Sequence, residues 1–188
     1  MNTGQMILVM GALFLLGIII LSANSTFREN ERVVTDSEFG IAAVSLATSL
    51  IEEAEGKLFD QACVDSGVSD VTELTPIGQF GPSTYERYRP TDTTYSDFDD
   101  ISDFDGFTIE YVNDTTKPQI AQYRGDPRGF RADYFLSTNV AYINAGNGFA
   151  DLDNFSGART WHKKLTVTVT SPSATDTLRL STVISYWK

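Results

Sequence analysis

The chain is poor in the residues that most chemistry needs. Its single cysteine, Cys63, allows no intrachain disulfide, and a lone thiol is expected to be buried rather than reactive. Its single histidine, His162, excludes multi-histidine metal centres and the common zinc-protease helix. Lying beside Trp161 at the start of a strand pattern, His162 reads as structural or solvated. No G-x-S-x-G elbow, phosphate-cradling glycine loop or dinucleotide fingerprint occurs, and Gly146-Asn-Gly148 reads as a turn. Among 25 acidic residues, a glycosidase-like carboxylate pair carries no information. The expectation is a protein with no catalytic residue and no enzymatic activity. Cations are also scarce, 14 Lys and Arg against 25 Asp and Glu, for a net charge of −11. Without a basic surface, nucleic acid is an unsuitable partner.

Two further absences fall together at the N-terminus. Residues 1–27 contain no charged side chain, and no proline precedes Pro76. Within that stretch residues 6–23 are apolar except for Ser22. Eighteen helical residues cover about 27 Å, close to the roughly 30 Å hydrocarbon layer of a bilayer. Leu21-Ser22-Ala23 offers a cut site for a secretory signal. However, the flank before the run has no Lys or Arg, and the run exceeds the usual apolar core of such signals. Retention of the segment is therefore expected. Arg28 and Arg32 are offset by Glu29 and Glu31, so charge does not set the orientation.

From residue 28 the pattern becomes amphipathic. Ile41, Val44, Ala47 or Thr48, Ile51, Ala54 and Leu58 recur at helical spacing and predict a buried stripe, with the helix running to about residue 59. Thr35 and Glu38 fit a capping box, which would break or kink the helix near residue 36. Residues 64–106 are rich in Ser, Thr, Asp, Gly and Pro and read as loop. Strand patterns follow at 107–112, 135–143, 164–170 and 178–187, the last two as a hairpin around Pro172. The expected fold is α+β: a long N-terminal helix packed on an antiparallel sheet. Three regions are expected: 1–27 as leader and hydrophobic helix, 28–59 as its amphipathic continuation, and 60–188 as a β-rich head.

The one concentration of potential ligands is acidic. Asp92, Asp97, Asp99, Asp100, Asp103 and Asp105 fall within fourteen residues, with no Lys or Arg among them. Such crowding is relieved by water or by a cation, and Ca²⁺, which accepts flexible oxygen sets, suits it. Asp99, Asp103 and Asp105 are the candidate ligands. The EF-hand register is missing, because Ile101 stands where its first aspartate belongs. The alternative is a solvated loop whose aspartates make turns. Asn24, Asn113 and Asn154 begin formal glycan-acceptor triplets.

These residues resemble the type IV pilin and pseudopilin superfamily. Gly4-Gln5 immediately before the apolar run is similar to a prepilin-peptidase site, whose position leaves the apolar segment in the mature protein. The continuous helix is similar to the family's spine. Residues 98–107, FDDISDFDGF, and the closing hairpin resemble MSHA-type minor pilins. Two differences stand out: Val9 occupies the place of the family's usual glutamate, and no basic residue precedes Gly4. The resemblance implies a subunit held in the cytoplasmic membrane that then assembles, with copies of itself and with assembly machinery, into an extracellular filament. Helices would pack in its core through Gly11, Ala12, Leu13, Leu16, Gly17 and Ile20. No cofactor is implied. The runner-up is a single-pass tethered binding domain whose acidic loop holds Ca²⁺.

Overall fold

The computed structural model describes residues 2–88, 97–114, 116–126, 132–144, 155–174 and 176–186. Asp92, the Gly146 turn and Asn154 lie outside the described residues. The chain divides into two units, Met1–Phe39 and Gly40–Lys188. The first is purely helical. It holds the start of helix α1, which runs from Thr3 to Glu55. The expected break near residue 36 is absent. Thr35 Oγ1 donates to Glu31 O one turn back (2.9 Å), as an interior threonine does, and Arg32 pairs with Asp36 at i,i+4 (3.9 Å).

In the second unit, the end of α1 is followed by the short helix α2 (Gln61–Asp65) and 3-10 turns at Val71–Glu73 and Ile101–Phe104. Strands β1 (Thr108–Tyr111), β2 (Tyr123–Arg124), β3 (Tyr134–Tyr142), β4 (His162–Thr170) and β5 (Leu178–Ser185) follow. The sheet order is β2-β1-β3-β4-β5. All neighbours are antiparallel except β1 and β2, so the sheet is mixed rather than wholly antiparallel. Strand β2 is two residues long, too short to show an alternation. Partners hold it in place: Gly125 N donates to Glu110 O (2.6 Å), and Arg124 pairs with the buried Glu110 carboxylate (2.8 Å).

The core lies between the last turns of α1 and one face of the sheet. Along β3, Tyr134, Leu136, Thr138, Val140 and Tyr142 are buried. Their cross-strand partners Val169, Val167, Leu165 and Lys163 are buried opposite Leu136, Thr138, Val140 and Tyr142. The alternation expected for Leu165, Val167 and Val169 is therefore present. The helix stripe matches expectation at Ala47 and Ala54 and departs from it elsewhere. Ala43, Leu46, Ala47, Leu50 and Ala54 are buried, whereas Ile41 is 72% and Val44 44% exposed. Two stripes of equal period run side by side here, and packing uses the one rich in alanine because small side chains let the helix approach closely.

The helix also stops at Glu55, short of residue 59. Gly56 follows, and the backbone of Leu58 is recruited by the acidic segment: Leu58 N donates to Asp99 O (3.0 Å) and Ile101 N to Leu58 O (2.9 Å). Leu58, expected in the stripe, is consequently 49% exposed.

Candidate functional site

Two features stand apart from ordinary packing, one in each unit. In the first, an 18-residue window of α1 has mean hydropathy 2.8 and none of it is buried, so the helix is long and apolar enough to cross a membrane. Met6, Ile7, Leu8, Leu13, Phe14, Leu16, Ile19 and Ile20 are all exposed. A Cβ added at Gly4, Gly11 or Gly17 would meet nothing within 4 Å, so packing within this chain does not require glycine there. At about 100° per residue, Leu13, Leu16, Gly17 and Ile20 share one sector of the helix, whereas Gly4 and Gly11 lie on the opposite side. The expected packing residues thus form two faces, with Ala12 between them. Gly4 and Gln5 lie in the first turn, where Gln5 N donates to Asn2 O (2.9 Å).

In the second unit, residues 98–104 of the acidic segment are largely enclosed and form a turn rather than a solvated loop. The 3-10 turn Ile101–Phe104 is closed by a capping box: the Asp100 side chain accepts from Ser102 N, and Asp103 Oδ2 reaches back to Asp99 N (3.0 Å) and Asp100 N (3.2 Å). Local turn chemistry therefore accounts for one oxygen of each. The other oxygens, Asp100 Oδ2 and Asp103 Oδ1, are buried without a hydrogen-bond partner, as is Asp99 Oδ1. Asp97, by contrast, is exposed.

Of the three expected ligands, the structure brings Asp99 and Asp103 together and directs Asp105 elsewhere. Asp105 Oδ1 accepts from Val140 N (2.8 Å) and Asn139 Nδ2 (3.1 Å), extending the β3 edge beyond its last pair with β1. Glu86 takes the third place. Carboxylate oxygens of Glu86, Asp99 and Asp103 lie within 4.8 Å of one another. Glu86 is fixed from its own turn, where its Oε2 accepts from Ser83 N (2.6 Å). Beside the group stand the packed rings of Tyr88, Phe98, Phe104 and Phe107, with centroids 4.6–6.5 Å apart. Burial, reinforced by Asp100 and Glu86, pushes Asp103 up to about 7. Burial and then Glu86 raise Asp99 as well.

Nearby, Lys163 forms a separate buried hub. Its Nζ donates to Asp60 Oδ2 (2.7 Å), Ser102 Oγ (2.7 Å) and Phe59 O (2.8 Å), and both ion-pair side chains are fully buried. Asp60 also accepts from Thr75 N (3.0 Å), Thr75 Oγ1 (2.7 Å) and Ala62 N (3.1 Å). Burial alone would raise Asp60, but the adjacent ammonium and these donors leave it below the usual carboxylate range. Lys163 was visible in principle, because stepping back two residues from Leu165 puts it on the buried face. Glu86 had no such signal.

The remaining candidates are structural. His162 Nδ1 lies 2.7 Å from Ser185 Oγ, its cross-strand partner. Cys63 is half-buried, not fully enclosed, and burial raises its thiol. Asn24 and Asn113 are exposed. No family model, curated protein or solved structure matches this chain.

Proposed function

We propose that this chain is a pilin-like subunit, major or minor, of an extracellular filament, assembled through its apolar N-terminal helix. The observation that carries the reading is the wholly exposed apolar stretch of α1, built in one helix with a sheet-packed second unit. Among the described residues none covers these side chains, and their natural surroundings are lipid or other helices. Exchanging lipid for a neighbouring helix brings no hydrophobic gain, so close packing decides association. Glycines free of intrachain demands on two faces of α1 suit a helix with neighbours on more than one side.

On this reading the chain waits in the cytoplasmic membrane, is cut between Gly4 and Gln5 by a prepilin-peptidase-like enzyme, and is then handed to assembly machinery. It acts by packing and display, without catalysis. Val9 in place of an acidic side chain leaves that helix position to apolar packing.

Crosslinking tests the proposal. In a Cys63→Ser background, cysteines at Gly11 and Leu16 together should give a crosslinked ladder on intact cells, whereas either one alone should give no polymer, because a head-to-tail contact joins different positions of neighbouring copies. The runner-up, a tethered domain that never polymerises, gives no ladder even with both cysteines present, a result that would discard the filament.

A further inference from the structure

We propose that Glu86, Asp99 and Asp103 form a binding site for a divalent cation of the Ca²⁺ class within the second unit. Three carboxylates meet with oxygens inside 4.8 Å. Two oxygens bound to one Ca²⁺ at its usual 2.3–2.6 Å lie at most about 5 Å apart, so the group already falls within the span of a shared ion. Proximity of acids is common and is not the deciding fact. The deciding fact is what the oxygens lack. Asp103 is 1% exposed, and its Oδ1 has no hydrogen-bond partner although its Oδ2 is held by two backbone amides. Asp99 Oδ1 is buried and equally unpartnered. A buried carboxylate oxygen without donor or counter-ion is costly, and the cost multiplies when three anions adjoin. Among the described residues, no Lys or Arg forms an ion pair with any of the three. Lys163, the buried cation nearby, spends its donors on Phe59, Asp60 and Ser102.

The scaffold fits a site rather than an accident of crowding. Asp103 is set by the capping box, its Oδ2 also accepting from the backbone N of Asp99, and Glu86 is set by the hydrogen bond it accepts from Ser83 N. The two segments are tied together by Gly81 N donating to Ser102 O (2.9 Å). An irregular, all-oxygen set completed by water matches Ca²⁺ better than Mg²⁺, which demands a near-ideal octahedron. The competing occupant is a proton shared among the acids. The elevated pKa of Asp103 describes that metal-free state. The site is independent of the filament reading, and its failure would leave assembly untouched.

The test uses the full chain in detergent micelles, stripped with chelator and titrated with CaCl₂ by calorimetry and by thermal melts. One ion per chain should bind, with Tm rising as Ca²⁺ is added and Mg²⁺ acting more weakly. Asp99→Asn and Glu86→Gln should each weaken binding by about tenfold or more, since affinity follows ligand charge. Asp97→Asn, an exposed neighbour, should bind as the parent does. Asp103→Asn keeps an acceptor for both backbone amides, so it should fold, melt higher than the parent without metal, and lose the Ca²⁺ response. The proposal is overturned if the parent shows no heat and no Tm change up to roughly 10 mM Ca²⁺, beyond the weakest range of extracellular Ca²⁺ modules. It is equally overturned if Asp99→Asn and Asp103→Asn respond as the parent does.

Discussion

Replacing Lys163 by methionine should remove a large share of the second unit's stability. The ammonium uses all three of its donors, on Phe59 O, Asp60 Oδ2 and Ser102 Oγ, at 2.7–2.8 Å. Methionine fills the same unbranched path, so little cavity is created. What remains is a fully buried Asp60 with no counter-ion, and stranding one partner of a buried pair costs about 3–5 kcal/mol. In a domain of this size each kcal/mol moves Tm by roughly 2–4 °C, which gives a fall of about 6–20 °C. Melts of the full chain in detergent, followed by near-UV circular dichroism, can read this through Trp161 stacked on Tyr186 at 5.3 Å. Asp60→Asn combined with Lys163→Met should recover most of the loss, because asparagine still accepts from Thr75 and Ala62. The reasoning fails if the single variant melts within a degree or two of the parent, or if the double variant is no better than the single.

Other outcomes follow from the same structure. Leu50→Ala should cost about 2–5 kcal/mol and Ile41→Ala within about 0.5 kcal/mol, a contrast in denaturant melts that checks which stripe of α1 faces the core. Gly125→Ala would drive a Cβ into the Tyr111 ring and should destabilise by about 1–3 kcal/mol unless the ring swings away, a clash that a Tyr111→Ala background would relieve. Without metal, Asp103 at about 7 and Asp100 at about 6 sit above the ordinary carboxylate value. Their protonated forms therefore favour the fold below about pH 4, and that stability is lost as pH rises through 6 to 7. Melts of chelated protein between pH 5 and 8 should fall less steeply for Asp103→Asn than for the parent.

Much of the fold was legible because its signals are periodic. Strand β3 alternates over all nine residues, β4 from Leu165 to Thr170 and β5 from Leu178 to Thr182, and the charge-free run of α1 is long enough to cross a membrane. What stayed hidden was decided by partners distant in sequence. Strand β2 exists through Glu110, and α1 ends where Asp99 claims the backbone of Leu58. Hydropathy favoured the bulky Ile41–Val44 side of the helix, yet close approach favoured alanine. The acidic run contains two of the three carboxylates that gather in the structure but not the third. Asp105 was spent on Val140 N, and Glu86 arrived from a loop with no motif.

The central claim is that the oily start of the chain persists in the working protein and joins one copy to the next. Mass spectrometry of the N-terminal peptide from material sheared off the cell surface tests it most directly. The account predicts a chain beginning at Gln5, recovered in sedimentable filaments. A monomer in the supernatant beginning beyond Ala23 would contradict it.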